Sequence, residues 1–297
     1  MNKYFTMLAV AMLGATTTQA EPKIETFWAN GVSAESGWYD ANKTHADDPE
    51  LDNMEQKIYT DEKGEGAKID DSMCYAASAA NLLAWWQDQY EAVDGVPQGV
   101  DAIWQTFVEN STADAGGNMP GAVQWWLTGQ DNDRYTYLAD RETGYYSEYT
   151  TGRTLYDKEH GGCFIESITN PTGAQLLDAL NSGKGVSLFV LGPVGYHSVT
   201  LWGLGLEDGA LTTMWITDSD DYDPQLTPKL HEVTLTGNSY DLDGATYRIE
   251  KAFTINPGIS DEWGLVKSTG GDSVPEPTTA TLSLLALGAL AMRRRRH

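Results

Sequence analysis

The chain has 297 residues, with 19 basic against 43 acidic side chains and a formal charge of −24. So acidic a surface argues against nucleic acid or an anionic membrane surface as partner. The length suits one large domain or two small ones.

Residues 1–20 read as a signal peptide. Lys3 supplies the positive start, Met7 to Leu13 the apolar core, and cleavage after Ala20 fits the small-residue pattern. The core is too short for a membrane span. In an exported protein the two cysteines, Cys74 and Cys163, pair by default as a disulfide, which would remove both thiols from chemistry.

Residues 21–60 hold no long periodic segment, but Ser36-Gly37-Trp38-Tyr39-Asp40-Ala41-Asn42-Lys43-Thr44 sets an aromatic patch before a lysine. The Trp and Tyr of this patch, with Trp85-Trp86 and Trp125-Trp126, are expected as core or cleft wall. From His45 to Ile69 the chain is charged and rich in Asp, Glu and Gly, the composition of an exposed insertion.

Asp70-Asp71-Ser72 are capping residue types, and Ala76, Ala79, Ala80, Leu83 and Trp86 follow at helical steps. This predicts a helix from Cys74 to about Ala92, with the thiol in its first turn. The helix dipole there favours thiolate. Asp70 and Asp71 oppose it, so an imidazolium has to do most of the activation. Further helices are predicted over Val100–Glu109, Met119–Leu127 and Thr172–Asn181. Strands follow at Val186–Leu191, His197–Leu206, Leu211–Thr217, Leu230–Thr236 and Thr246–Asn256. Helices first and antiparallel strands second is an α+β pattern.

Thiol catalysis needs an imidazole, a group to orient it and donors for an oxyanion. His197 begins one predicted strand, and Asp218 and Asp220 end the next. A hairpin through Glu207-Asp208-Gly209 brings them to the same end of the ladder. His160 and His231 lack a comparable carboxylate-bearing neighbouring strand. Asp218, Asp220, Asp221 and Asp223 could instead form a calcium loop, although their spacing fails the EF-hand pattern.

Four ordered blocks resemble the streptococcal immunoglobulin-degrading cysteine proteases, the IdeS/Mac family. They are Gly37-Trp38-Tyr39-Asp40 with Lys43-Thr44, Asp70 to Trp86 around Cys74, His197 with Leu201-Trp202-Gly203, and Thr217-Asp218-Ser219-Asp220. The resemblance implies a papain-like α+β fold, with the Cys helix packed on a mostly antiparallel sheet. It also implies Cys74 as nucleophile, His197 as base and then acid, and Asp218 as its orienting group. Lys43 joins the Cys74 N–H in the oxyanion hole, and Asp220 supports the lysine. No metal or organic cofactor is implied, and the substrate is a protein or peptide. Tyr75 stands where the family usually has glycine, and residues 45–69 separate Lys43 from Cys74 more widely than in streptococcal members.

At the far end, Val274-Pro275-Glu276-Pro277 precedes an apolar run from about Ala280 to Met292 and then Arg293 to Arg296. This resembles a PEP-CTERM sorting tail, which implies processing by an exosortase-type enzyme and transient membrane anchoring. The simpler alternative is a permanent C-terminal anchor. The expected organisation is a signal peptide (1–20), a peptidase domain (21–273) and a tail (274–297), delivered beyond the inner membrane of a Gram-negative bacterium to the surface or matrix. The expected function is a cysteine endopeptidase. The alternatives are a disulfide-bonded, non-catalytic matrix-binding protein, or a transglutaminase-like acyltransferase on the same triad.

Overall fold

The computed structural model describes residues 24–43, 59–60, 66–67, 70–112, 115–130, 137–156, 162–221 and 227–268. The expected signal peptide, the tail, most of the expected 45–69 insertion, His160 and Asp223 lie outside these residues.

The elements in order are β1 (Ile24–Trp28), the two-residue strands β2 (Tyr59–Thr60) and β3 (Gly66–Ala67), α1 (Cys74–Gln87), α2 (Val100–Asn110), α3 (Met119–Thr128), and the single turn α4 (Ser147–Thr150). Then come β4 (Ile165–Thr169), α5 (Gly173–Asn181), β5 (Gly185–Gly192), β6 (Gly195–Glu207), β7 (Ala210–Thr217), β8 (His231–Thr236), β9 (Ser239–Leu242), β10 (Ala245–Ile255) and the single turn α6 (Pro257–Ser260).

The predicted helices and the five predicted strands form close to their expected bounds, except that α1 ends at Gln87, five residues short of the expected Ala92. Thr172 caps α5 rather than joining it, in a reciprocal box with Gln175. The short strands β1, β4 and β9 were not legible, because four or five residues carry too little alternation to stand out.

The architecture corrects the papain-like α+β expectation. Strands β5 to β10 form an up-and-down antiparallel meander, and β10 pairs back onto β5, with Ile255 opposite Gly185 and Arg248 opposite Leu191. The result is a closed six-stranded antiparallel barrel with β1 and β4 as additions. The protein is mostly β, with few helices. Each hairpin is local, but the closing pair joins segments far apart in sequence, and no local pattern announces it.

Two long strands make closure possible. β6 gives one edge first to β5 and then to β1, while its other edge pairs with β7. β10 divides an edge between β9 and β4. Both are bent by register shifts, at Leu201/Gly203 and Gly205/Leu206 in the β6–β7 ladder and at Ile249/Lys251 in the β10–β5 ladder. Such bulges increase local twist and let a sheet curl. At Gly203 a β-carbon would meet the Trp28 ring at 2.6 Å, so β1 can cross there only over glycine.

Helix α1 lies against β5 and β6. From Tyr75 to Gln87 every residue is buried, where the sequence predicted a single apolar face. Its alanines allow close approach on several sides at once, and two polar residues left inside, Ser78 and Asn81, bond to the barrel. Ser78 Oγ lies 2.8 Å from Ser187 Oγ and 3.1 Å from Thr200 Oγ1, and Asn81 Nδ2 donates to Thr200 Oγ1 at 3.1 Å. Asn81 Oδ1 also accepts from the Ala41 N–H at 2.7 Å, tying the 38–43 strap to the helix. Around the far side of α1 sits an aromatic cluster of Trp86, Tyr146, Phe164 and Trp263.

Candidate active site

Cys74 is the first residue of α1, and the N-cap is Met73, whose side chain makes no capping hydrogen bond. The three polar residues before it are therefore not the cap. The first-turn amides of a helix have no intrahelical carbonyl to bond, and the Cys74 N–H is among them. Met73 itself is anchored by its N–H to the Asp70 carbonyl at 3.0 Å.

The β6–β7 hairpin supplies the other half. Asp208 and Gly209 take positive φ of 50° and 80° at its tip, and Thr200 pairs with Thr217 near its open end. His197 and Asp218 thus leave the ladder side by side, with His197 Nε2 to Asp218 Oδ1 at 2.6 Å, both side chains buried. Asp218 Oδ1 also accepts from the Asp220 N–H at 3.0 Å. The other ring nitrogen, Nδ1, lies 3.9 Å from Asp220 Oδ2.

Lys43 arrives on the strap that follows β1. Its N–H donates to the Ser219 carbonyl at 3.0 Å. Its buried ammonium contacts Asp220 Oδ1 and donates to the Asp71 carbonyl at 2.5 Å. It therefore bridges the hairpin end and the loop leading into Cys74.

Lys43, Asp71, Cys74, His197 and Asp220 line one cavity of about 300 Å³, together with Ser72, Gly116, Val194, Tyr196 and Tyr247. Asp218 is not in its wall and acts on it through His197. Tyr75 is fully buried and is not in its wall, so the bulk beside Cys74 does not narrow the cleft.

Electrostatics separate the charges. Burial alone would raise the Cys74 thiol. The hydrogen bond and charge of His197, the Lys43 ammonium and the Ser198 backbone outweigh it and hold the thiol below its ordinary value. Burial alone would lower His197, but the Asp218 charge and hydrogen bond, with the Cys74 thiolate, push it well above its ordinary value. Asp218 lies below the usual carboxylate range because, against its burial, it faces His197, the Asp220 amide and Lys43. Lys43 is raised, its burial being outweighed by Asp220, the Cys74 thiolate and Asp71. The arrangement stabilises a thiolate–imidazolium pair flanked by an ammonium.

The oxygens and nitrogens of His197, Asp218 and Asp220 also lie within 4.8 Å of one another, close enough for a metal ion. The donor set fits one poorly, because Asp218 already faces His197 and Asp220 already faces Lys43. As for the calcium loop, Asp221 is also engaged, through His231.

One pair was missed. His231 Nε2 lies 2.5 Å from Asp221 Oδ2, both buried. The reading that His231 lacks a carboxylate-bearing neighbouring strand did not anticipate a partner from elsewhere. The partner sits in a turn, Asp221 N–H to Asp218 carbonyl at 3.3 Å, and not on a neighbouring strand. Cys74 and Cys163 are both partly exposed and form no disulfide with each other, against the default pairing.

Residues 273–296 match the PEP-CTERM protein-sorting motif. This signal marks export and surface sorting in Gram-negative bacteria and is the one an exosortase recognises. The match stops short of the barrel, so the likeness to the IdeS/Mac proteases rests on the four sequence blocks alone. No curated protein matches the chain. Among the described residues, no helix is long and apolar enough to cross a membrane.

Proposed function

We propose that the protein is an exported cysteine endopeptidase. The observation that carries this reading is the convergence on one cavity of Cys74 at a helix start, His197, which Asp218 holds at 2.6 Å, and the buried Lys43 ammonium. The ordered likeness to the IdeS/Mac family supports the same assignment of roles.

In this reading the Cys74 thiolate attacks a peptide carbonyl. The developing oxyanion takes hydrogen bonds from Lys43 and the Cys74 N–H, donors fixed before the reaction begins. The His197 imidazolium gives its proton to the leaving amine, forming the thioester. The now neutral imidazole then removes a proton from water, which attacks the acyl carbon and releases the thiolate. Asp218 holds the ring and stabilises its charged form. Asp220 holds Lys43 against the hairpin end.

The test is proteolysis of an unfolded protein substrate by the mature enzyme. Cys74→Ala and His197→Ala should each abolish cleavage, and iodoacetamide should label Cys74 ahead of Cys163. Full activity in Cys74→Ala would end the proposal. Release of free carboxyl product without added amine would distinguish hydrolysis from acyl transfer on the same residues.

A further inference from the structure

A second cavity, of about 540 Å³, lies on the strap that delivers Lys43, against one face of α2. Trp38, Tyr39 and Trp104 supply aromatic walls, and Asp40, Asn42 and Asp101 supply acceptors. Among the described residues, no basic side chain lines it.

Three buried polar atoms of these lining residues have no hydrogen-bond partner: Trp38 Nε1, Asp40 Oδ1 and Asn42 Oδ1. The orphaned carboxylate oxygen is the unusual one. Asp40 is 6% exposed, and both bonds it accepts, from the Lys229 N–H at 2.8 Å and from Asn42 Nδ2 at 3.1 Å, fall on the other oxygen, Oδ2. A buried carboxylate with one oxygen unmatched costs stability unless something satisfies it.

We propose that this cavity binds a cationic side chain of the lysine or arginine type. An ammonium or guanidinium would supply the donors that Asp40 and Asn42 lack and the charge that Asp40 and Asp101 call for. It would also rest against indole and phenol faces, which attract cations through their quadrupoles. The formal charge of −24 steers cations toward the surface in general. This assignment does not depend on Cys74 being catalytic.

Calorimetric titration of the mature protein with N-acetyl-arginine amide and N-acetyl-lysine amide tests it, at about pH 8, above the value of about 7 to which burial pushes Asp40. One-site binding in about the millimolar range is expected. N-acetyl-norleucine amide, which keeps the chain and loses the charge, should give no binding. Asp40→Asn replaces the unmatched acceptor with a donor and should weaken binding by about tenfold or more. Asp101→Lys places a cation at the exposed start of α2, where the fold tolerates it, and should abolish binding. Equal binding of the norleucine analogue, binding of cellotriose in place of the cations, no heat with either cation, or affinities unchanged in Asp101→Lys would each overturn the assignment.

Discussion

The Lys43 ammonium is held between the Asp220 carboxylate and the Asp71 carbonyl, so one side chain joins the hairpin end to the loop before Cys74. The four residues from Asp218 to Asp221 are each tied to a different group. Asp218 holds His197, the Ser219 carbonyl accepts from the Lys43 amide, Asp220 holds the Lys43 ammonium, and Asp221 holds His231. The turn thus holds both His197 and Lys43 in the wall of the cavity.

If Lys43 stabilises an oxyanion, Lys43→Met should lower kcat by about two to three orders of magnitude and change KM little. Asp220→Asn should produce a smaller loss, since the Asp71 carbonyl still holds the ammonium. Steady-state kinetics on a single peptide substrate measures both. A change confined to KM would assign Lys43 to substrate binding instead.

The Cys74 thiol is held below its ordinary value and His197 well above its own. Alkylation of Cys74 by iodoacetamide should therefore stay fast well below the pH at which an ordinary thiol loses its proton. His197→Ala removes the first of the influences that lower the thiol and leaves burial to raise it. The alkylation profile should then move to higher pH. An unmoved profile would show that the helix start and Lys43 suffice.

Asp218 supports the charged ring, so Asp218→Asn should lower kcat by about two to four orders of magnitude. It should also draw the basic limb of the pH–rate profile downward, because His197 loses what raises it. Stability follows the same linkage. The depressed Asp218 stabilises the fold above the ordinary carboxylate range, and that contribution disappears as pH falls through its lowered value. The raised His197 contributes fully below its ordinary value and loses its contribution as pH rises through the elevated one. Thermal unfolding across pH, wild type against Asp218→Asn, reads both limbs.

Breaking a buried His–Asp pair costs about 2–4 kcal/mol. His231→Phe should therefore lower Tm by several degrees. It should also lower kcat with KM nearly unchanged, because Asp221 shares its turn with Asp218. A stability loss with kcat intact would limit His231 to the fold.

Asp40 is pushed up to about 7 chiefly by burial, with Asp221 and Asp218 adding to the rise and the Lys229 amide and Asn42 opposing it. The folded protein therefore holds this proton more tightly than the unfolded chain. Stability from this group is full below the ordinary carboxylate value of about 4 and declines as pH rises toward about 7. The Tm of Asp40→Asn should gain on the wild type across that interval and level off above it.

Sequence alone determined the long elements and the chemical roster. Alanine spacing placed α1, the run from Thr172 to Asn181 placed α5, and the Glu207-Asp208-Gly209 turn brought His197 and Asp218 to one end of a ladder. The sorting tail was legible as well, because a short motif, an apolar run and a basic cluster are contiguous. Tertiary structure decided the rest. Barrel closure depends on β10 meeting β5, a pairing set by bent long strands that no local periodicity encodes. The Asp221–His231 pair formed across a turn, outside the strand-to-strand logic that found His197. Burial on every side of α1 followed from what surrounds it. Cys74 shows the division most plainly: its place at a helix start was written in the neighbouring residues, but its thiolate depends on His197 and Lys43, which only the folded chain brings near.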